Sequence, residues 1–460
     1  MASTRLRPEL VAPPILAILE RLRDGGHSAY LIGGATRELL RGKRIKDWDV
    51  GTSAIPEEVL RFYPDAITTG AKFGTLTIPT DAGHCEVTTF RVESGYADAR
   101  RPDRVVFVRS LEEDLKRRDF TVNAIAWDPL SGRLVDPHGG IADLTARILR
   151  AVGDPIARFK EDGLRPIRAA RFAATLEFEI ETGTAEALIE ARDEVKRVAP
   201  ERVQDELMKM LQANEPSRGF EVLRHAGLLE VWLPELQECV AVPQNRYHAY
   251  DVYFHTIYTC DAAPAEKGVV RLAALFHDVG KPRTRAERDD GEATFYNHQF
   301  VGAEMAGEAM NRLRFSRDMT ARVVHLVRQH MFDYRPEWSD AAVRRFMRSV
   351  GIDHVADLFD LRIADNIGNG TKTGFPHYLG ELSARVNRIL EAEEAITVLD
   401  LEIDGEDVMR ELGLRPGPRV GEILNQLLEE VLEEPSLNVR ELLLKRVLAG
   451  FSIDTGDPDA

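Results

Sequence analysis

Cysteine is scarce in this sequence, since the 460-residue chain contains only Cys85, Cys239 and Cys260. These three residues are far apart along the chain and form no CxxC pair, so we expect no disulfide framework. Cysteines used in this way fit a reducing compartment. The cysteine content therefore predicts a cytoplasmic protein.

Long apolar runs are missing as well. No stretch approaches the ~20 consecutive apolar residues that a membrane-spanning helix needs, and MASTRLRPELVAPP at the start lacks the apolar segment of a signal peptide. The sequence also shows no internal repeat and no low-complexity tract. With 44% apolar and 30% charged residues, it has the composition of a globular protein of two to four domains. We expect no membrane partner.

Basic residues are fewer than acidic ones, and the net charge of −16 by itself argues against a nucleic-acid partner. The excess of acidic residues is concentrated at residues 391–460, which carry 18 acidic and 6 basic side chains, so the first 390 residues have a net charge of only −4. Basic stretches such as LRGKRIK and LKRRDF occur in that first part. The charge sum therefore does not exclude a polyanionic partner.

The secondary-structure pattern changes near residue 150. Before that point, short strand-like segments such as SAYLIGG and GTLTIPT mix with short helices, and Gly and Pro separate them. After Val152 the apolar residues recur with the period of helices. This pattern predicts an α+β fold, in which a head with a small mixed β-sheet and helices precedes an all-α region.

Two aspartates near the start of the chain point to phosphate chemistry. In a strand, Asp47 and Asp49 would face the same way, and one divalent cation, or two about 3.5–4 Å apart, would relieve their repulsion and create a phosphoryl-transfer site. For such a pair alone, a solvent-facing strand edge would be the better explanation. Here Gly33 and Gly34 precede a helix, where backbone N–H groups can cradle phosphates, and Arg37 follows within reach.

This segment, GGATRELLRGKRIKDWDV, resembles the signature of class II tRNA nucleotidyltransferases and bacterial poly(A) polymerases. Glu38 stands where that family usually has Asp. EEDLKRRDFTVNAIAWD, RFKEDGLRPIRAARFAA and ERVQDELMKML resemble the next three motifs in the same order. The resemblance implies Mg²⁺ at Asp47 and Asp49, and attack of a tRNA 3′-hydroxyl on the α-phosphate of CTP and then ATP, with release of pyrophosphate. Glu86 is either a third carboxylate or a strand-packing residue.

The same motifs predict the nucleotide site. Its expected residues are Gly33, Gly34, Arg37, Arg118, Asp162, Arg165, Arg168 and Arg171. The last four follow a helical face, which is also the spacing of ordinary surface ion pairs. The resemblance implies that Asp162 and Arg165 form a template that accepts from the exocyclic amine of C or A and donates to the ring, whereas G and U present the opposite polarity. We expect Pro166 in the first turn of a new helix that Asp162 caps.

A second constellation begins near residue 248. The order H…HD…H…H…D resembles the HD phosphohydrolase superfamily. Its members here are His255, His277, Asp278, His298, His330 and Asp365. Imidazoles with carboxylates suit a transition metal or Mg²⁺ in a helical bundle. The resemblance implies a second divalent ion, either Mn²⁺, Ni²⁺, Fe²⁺ or Mg²⁺, and an accessory phosphohydrolase activity. His325 is a less favoured ligand than His330.

Several functions remain open at this stage. VESGYADARRPDRVVFV, at 92–108, matches a family loop that is shortened in relatives adding only the two cytidines, and its full length favours an enzyme that can add the terminal A. We expect complete CCA synthesis on the tRNA 3′ end from CTP and ATP. An A-adding enzyme that follows a separate CC-adding enzyme would carry the same motifs. A poly(A) polymerase is less favoured because the chain has no extended basic tail. From another class, the chain could be an HD phosphohydrolase with an RNA-binding head.

The acidic tail offers one candidate contact, since Arg415 and Arg419 border a Pro/Gly turn before a helix. A tRNA phosphate site and a plain helix–helix turn explain it equally well. The predicted domains are a nucleotidyltransferase head (palm) at 1–152, a helical neck with the base template at 153–213, a helical body with the HD-type domain at 214–390, and the acidic helical tail at 391–460.

Overall fold

The computed structural model shows two compact units. It describes residues 6–45, 47–94, 104–245, 248–289, 291–371, 375–392 and 395–451. One unit comprises Met1–Val240 with Glu308–Ser316, and the other comprises Ala241–Gly307 with Arg317–Ala460. Among the described residues, no helix combines the length and the apolar character needed to cross a membrane. The predicted α+β class is confirmed, while the four-part domain division stays a prediction.

The strands of the first unit are β1 (Ala29–Ile32), β2 (Trp48–Thr52), β3 (Thr75–Thr80), β4 (Gly83–Thr89), β5 (Arg91–Ser94), β6 (Arg104–Phe107), β7 (Ala126–Trp127), β8 (Leu134–Val135), β9 (Ile148–Leu149) and β10 (Glu179–Ile180). Six of them form one mixed sheet in the order β3-β4-β2-β1-β7-β8. Strands β2 and β4 run parallel, with Asp49 opposite Glu86. Trp48 and Val50 alternate with Asp49 and are buried, as the period of a strand requires.

The helices of the first unit are α1 (Pro13–Asp24), α2 (Gly33–Arg41), α3 (Pro56–Phe62), α4 (Leu111–Lys116), α5 (Gly140–Ala146), α6 (Pro155–Glu161), α7 (Leu164–Leu176), α8 (Thr182–Glu190), α9 (Arg192–Val195), α10 (Pro200–Leu211), α11 (Ser217–His225), α12 (Leu229–Trp232) and α13 (Pro234–Glu238). Helix α1 is amphipathic, and its apolar face packs against the sheet through Ile15, Ile18, Leu19 and Leu22.

The break between α6 and α7 lies where the sequence predicts one. Gly163, and not Asp162, is the residue before the first helical position of α7. A side chain at Gly163 would lie 2.3 Å from the Glu194 carbonyl oxygen, so close packing requires glycine there. The Asp162 carboxylate still accepts the Leu164 N–H at 3.0 Å, and Pro166 lies in the first turn. The cap is thus shifted by one residue from the prediction.

The second unit is almost entirely helical. Its elements are α14 (Val252–Ala262), α15 (Gly268–Phe276), α16 (Lys281–Thr284), β11 (Ala286–Glu287), β12 (Ala293–Thr294), α17 (His298–Arg312), α18 (Arg317–Gln329), α19 (Asp340–Val350), α20 (Ile352–Gly368), α21 (His377–Glu391), α22 (Gly405–Leu412), α23 (Pro418–Glu433) and α24 (Arg440–Gly450). Helices α22 to α24 share an apolar core that includes Leu427 and Val447. Buried Arg344 of α19 donates to the Leu432 carbonyl at 2.8 Å, so the acidic tail is packed against α19.

Candidate active site and metal centre

A cleft with a volume of about 740 Å³ opens in the first unit. It lies beside strands β2, β3 and β4 and the start of α7, so it combines the DxD strand with the third motif. Its cationic lining residues are Arg91, Arg117, Arg118, Arg165, Arg168 and Arg202. Acidic Asp49 and Glu86 lie in the same lining. Such a mixture of guanidinium groups and carboxylates suits a metal-bound polyphosphate.

The two predicted carboxylates have different surroundings. Asp49 is half-buried in β2, whereas Asp47 is exposed and precedes the first residue of that strand. Burial is the main cause that raises the pKa of Asp49 to about 6; Arg118 opposes the rise, and nearby Glu86 and Asp47 add to it. A carboxylate with this raised pKa lacks sufficient positive charge around it. A divalent cation would supply that charge, so the donor set fits a metal.

The glycine pair creates room beside this carboxylate. Gly33 has φ +60°, and a Cβ there would lie 2.8 Å from the Arg118 Nη1. A Cβ at Gly34 would lie 3.3 Å from the Asp49 Oδ2. Only glycine therefore allows the start of α2, the Asp49 carboxylate and Arg118 to approach so closely. Backbone N–H groups at a helix start can bind phosphate, and the role of Gly33 and Gly34 as a phosphate cradle stays a prediction.

Arg118 lies at the edge of this turn. Its Nη2 donates to Asp114 at 3.3 Å and its Nη1 to the Asn123 carbonyl at 3.3 Å. Its Nε is buried and has no hydrogen-bond partner among the described residues. An unpaired buried donor is costly, and a phosphate oxygen would satisfy it.

Both residues of the predicted template line the cleft, and each has a partner of its own. Asp162 accepts from Arg202 at 3.1 and 2.8 Å. The Arg165 guanidinium pairs with Glu161 at 2.7 Å and donates to the Arg117 carbonyl at 2.9 Å. These contacts fix the direction of both side chains. Their role in base selection stays a prediction.

Three predicted nucleotide ligands are engaged inside the protein. Arg168 lines the cleft, but its guanidinium binds Asp119 through Nε at 2.9 Å and Nη2 at 2.6 Å. Arg171 binds Glu206 at 2.7 Å and is not among the cleft-lining residues. Arg37 donates to Glu38 at 2.8 Å and is also outside the lining. The structure does not bring Arg37 and Arg171 to the cleft surface, because buried acceptors hold them.

In the second unit, the six predicted HD residues lie together. They come from α14, the end of α15, α17, the end of α18 and α20. Two groups of three offer ligand atoms to a metal. These groups are His255, His277 and Asp365, and Asp278, His298 and His330. A buried set of imidazoles and carboxylates is a fitting donor set for a divalent transition metal.

Asp278 connects the two groups. Its Oδ2 lies 3.2 Å from the Nε2 atoms of both His255 and His277. Its Oδ1 lies 3.4 Å from the His298 Nε2 and 3.8 Å from the His330 Nε2. One carboxylate therefore faces both groups of ligands, and the cluster has donors for one ion or two.

His325 lies outside this cluster. Its Nε2 is 2.6 Å from the Val350 carbonyl oxygen, which explains it as a structural residue. The sequence favoured His330 over His325 as a metal ligand, and this geometry agrees with that preference. In addition, Nδ1 of His330 is 2.7 Å from the Val327 carbonyl, which orients its Nε2 toward the cluster.

Comparison with known proteins gives three domain matches. The family described as "Poly A polymerase head domain" matches residues 29–150. The family "Probable RNA and SrmB- binding site of polymerase A" matches residues 177–239, and "HD domain" matches residues 246–369. The order of these matches is the order in which the motifs were found.

Whole-length relatives agree with these matches. The chain is 32% identical over 433 residues to a CCA-adding enzyme of Lactococcus lactis subsp. lactis, covering 94% of this chain and 95% of that one. The chain belongs to the tRNA nucleotidyltransferase family. It is also 36% identical over 420 residues to an A-adding tRNA nucleotidyltransferase of Deinococcus radiodurans, covering 87% of this chain and 91% of that one.

Among solved structures, the Bacillus stearothermophilus CCA-adding enzyme in complex with CTP superposes with a TM-score of 0.73. It is 28% identical and covers 95% of this chain and 98% of its own. The family assignment made from the motifs is confirmed. This tRNA nucleotidyltransferase is thus an enzyme, and the use of divalent metals is common to its family.

Some residues of this nucleotidyltransferase site were missed from the sequence. Arg202 and Glu161 hold the template pair, and Lys281 lies 2.6 Å from the Asp278 Oδ2 in the second unit. Arg202 belongs to the fourth motif, ERVQDELMKML, so its place in that motif could have indicated a role at the site. Lys281 follows the HD pair within HDVGK, although nothing in that spacing alone indicated which group it would contact.

Proposed function

We propose that this nucleotidyltransferase adds CCA to the 3′ end of tRNA from CTP and ATP and releases pyrophosphate. The observation that carries the proposal is the cleft lined by Asp49 and by the Asp162–Arg165 pair, with the Gly33–Gly34 turn beside Asp49. This arrangement supports a site for a metal-bound triphosphate next to side chains that could read a base.

Each part of the cleft has a task in this reaction. The backbone at Gly33 and Gly34 and the unpaired Nε of Arg118 hold the triphosphate. Asp162 and Arg165, fixed by Arg202 and Glu161, orient the base. Because phosphoryl groups need little covalent assistance, such positioning and charge neutralisation supply most of the acceleration.

Asp47 and Asp49 would hold Mg²⁺ in this cleft. A bound Mg²⁺ stabilises the charge that develops on the phosphate oxygens and lowers the pKa of an attacking hydroxyl. Glu86 lies opposite Asp49 on β4 and raises its pKa, which supports a place for Glu86 near the same ion.

Addition of A alone is the second candidate, and the 36% identity to the Deinococcus radiodurans A-adding enzyme favours it. The loop whose length favoured addition of the terminal A has Gly95, Arg100, Arg101 and Pro102 outside the described residues. Its length is compatible with both candidates, because both add the terminal A.

The test uses three transcripts of one tRNA that end before CCA, after C and after CC. Each is incubated with Mg²⁺ and with CTP, ATP or both. Complete CCA synthesis requires extension of all three transcripts, with C incorporated before A on the two shorter ones and A alone on the transcript that ends in CC. Extension of only the CC-ended transcript would replace the proposal by A addition, and long adenosine tails on unrelated RNA would indicate a poly(A) polymerase.

For the second unit, we propose an accessory phosphohydrolase activity that depends on a divalent ion among the six HD residues. The two buried ligand groups support it. The cytoplasmic location, the four-part domain division and the tRNA contact at Arg415 and Arg419 remain proposals beside it. Arg419 pairs with Glu422 at 3.1 Å on the surface, which an RNA phosphate would have to displace.

A further inference from the structure

A continuous chain of polar contacts runs through the interior of the first unit. The Arg37 Nη1 donates to the Asn123 Oδ1, and the Asn123 Nδ2 donates to the Asp119 Oδ1 at 3.0 Å. The other Asp119 oxygen accepts from Arg168 at 2.9 and 2.6 Å. The chain therefore joins α2, the second motif and α7.

One aromatic ring lies among these charges. The Cζ atoms of Arg37 and Arg168 lie 5.3 and 5.4 Å from the centre of the buried Phe172 ring. The Arg171 Cζ lies 3.4 Å from it, and Phe120 of the second motif packs edge to face at 5.7 Å. Phe172 thus holds three guanidinium groups at its ring, and cation–π attraction strengthens when the groups are desolvated.

The joined elements carry the two halves of the nucleotide site. Helix α2 begins at the glycine turn, and α7 begins two residues after Asp162. Only 12% of the Arg37 side chain is exposed. Its Nε is bound by Glu38 and its Nη1 by Asn123, while its Nη2 lies 3.9 Å from where a Cβ of Gly34 would be. Two of its three nitrogens are therefore committed to the protein interior.

We propose that Arg37 is a positioning residue for base selection, and that it holds the template helix α7 in register with the glycine turn through Asn123, Asp119 and Arg168. The inference rests on the proposed function, since it takes the start of α7 to read the base. A guanidinium can bridge Glu38 and Asn123 with its planar fork, whereas an ammonium is a point charge that cannot.

Arg37→Lys separates this role from phosphate binding, because lysine keeps the charge and loses the fork. We expect the ratio of kcat/KM for CTP over UTP to fall about 10-fold, with KM for CTP within about 2-fold of the original. Asn123→Ser removes the same bond from the other side and should lower the ratio similarly. The double variant should be no worse than either single one, as expected for one shared interaction.

Arg41→Lys is the matched control. Arg41 lies one turn further along α2 and contacts the same Glu38 at 3.2 Å, and its replacement should leave the ratio unchanged. A higher KM for every nucleotide with an unchanged ratio would make Arg37 a phosphate ligand and overturn the proposal. If Arg37→Lys loses its thermal unfolding transition, the ratio in Asn123→Ser decides the question.

Equilibrium binding of CTP and UTP to the Mg²⁺-loaded variants provides a second measurement without tRNA. The same loss of preference for CTP is expected there. A protein that prefers CTP in binding but extends no tRNA would refute the proposed function alone, whereas unchanged binding preferences in both variants would refute the role of Arg37.

Discussion

The two candidate sites of this chain differ in their donors and in their exposure. The cleft of the first unit has an open volume of about 740 Å³, carboxylates on the neighbouring strands β2 and β4, and arginines around them. The site of the second unit draws imidazoles and carboxylates from several helices, and five of its six residues are fully buried. Under the proposed functions, the first site binds a substrate and the second binds a metal.

This difference follows from what each site has to bind. A cleft that accepts a triphosphate and an RNA end must remain open, and its oxygen donors suit Mg²⁺, which keeps part of its water shell. A cluster of imidazoles can bind softer ions tightly and needs little exposed surface. The contrast predicts that the two sites respond independently to mutation and to a change of metal.

Loss of the strand carboxylates should produce the largest effect. Asp47→Ala or Asp49→Ala is expected to reduce nucleotide addition by at least about 10³-fold, because charge stabilisation at the transferred phosphate disappears. Single-turnover extension of tRNA measures it. Asp81→Ala, an exposed aspartate between β3 and β4, should have no effect. Turnover within a few fold of the original in both site variants would refute the metal assignment.

Removal of the HD pair should abolish the second site and spare the first. We expect His277→Ala with Asp278→Ala to eliminate tightly bound transition metal and any Mn²⁺-dependent hydrolysis of bis-p-nitrophenyl phosphate. Nucleotide addition should stay within about 2-fold, because no HD ligand belongs to the cleft.

His325→Ala is the control for that experiment, since His325 bonds to the Val350 carbonyl outside the cluster. It should keep the metal content measured by elemental analysis. A folded double variant that loses nucleotide addition as well would show that the sites are coupled.

The sequence predicted those features that depend on local periodicity or on a known order of residues. Asp49 could be assigned to a strand because a strand alternates with period two, and burial of Trp48 and Val50 agrees with it, whereas Asp47 precedes that strand. The break near Asp162 was visible because Gly163 disfavours a continuous helix and Pro166 is tolerated only in a first turn. Both features need information from only a few neighbouring residues.

Partners that are distant in sequence could not be predicted in this way. Arg202 pairs with Asp162 across 40 positions, and Arg168 with Asp119 across 49. Such pairs depend on how helices pack, which no spacing rule contains. For this reason Arg171 was assigned to the nucleotide from its helical row, although its guanidinium binds Glu206 away from the cleft surface.

Base selection provides a test with an intermediate effect. Asp162→Ala removes the acceptor for the exocyclic amine, and a charged hydrogen bond of up to ~3 kcal/mol corresponds to a loss of about 10- to 100-fold in the CTP over UTP ratio of kcat/KM. Arg202→Met should lower the ratio less, because it only frees the Asp162 carboxylate. Exposed Asp205→Ala on α10 serves as the control. An Asp162→Ala enzyme that keeps the ratio and loses only rate would place base selection elsewhere.

The smallest expected effect is on stability, and it concerns the metal-free cleft. Burial raises the pKa of Asp49 to about 6 from its ordinary value of 3.8, so the folded state binds this proton more tightly than the unfolded state. Stability therefore falls as pH rises from about 4 to about 6 and stays lower above that range. In EDTA at pH 8, Asp49→Asn should increase the free energy of unfolding by about 3 kcal/mol, and at pH 4 the increase should nearly vanish.

Asp114 provides the opposite case in the same unit. Although burial favours its neutral form, Arg118 and Arg117 hold the pKa of Asp114 below its usual value. Asp114→Asn should therefore destabilise the protein at pH 8, and the difference should shrink as the pH falls through that lowered pKa. Urea unfolding at several pH values measures both variants. If Asp49→Asn and Asp114→Asn lower the free energy of unfolding equally at pH 8, then neighbouring positive charge already balances the Asp49 carboxylate without a metal. The cleft would then not need a cation to offset the charge of Asp49.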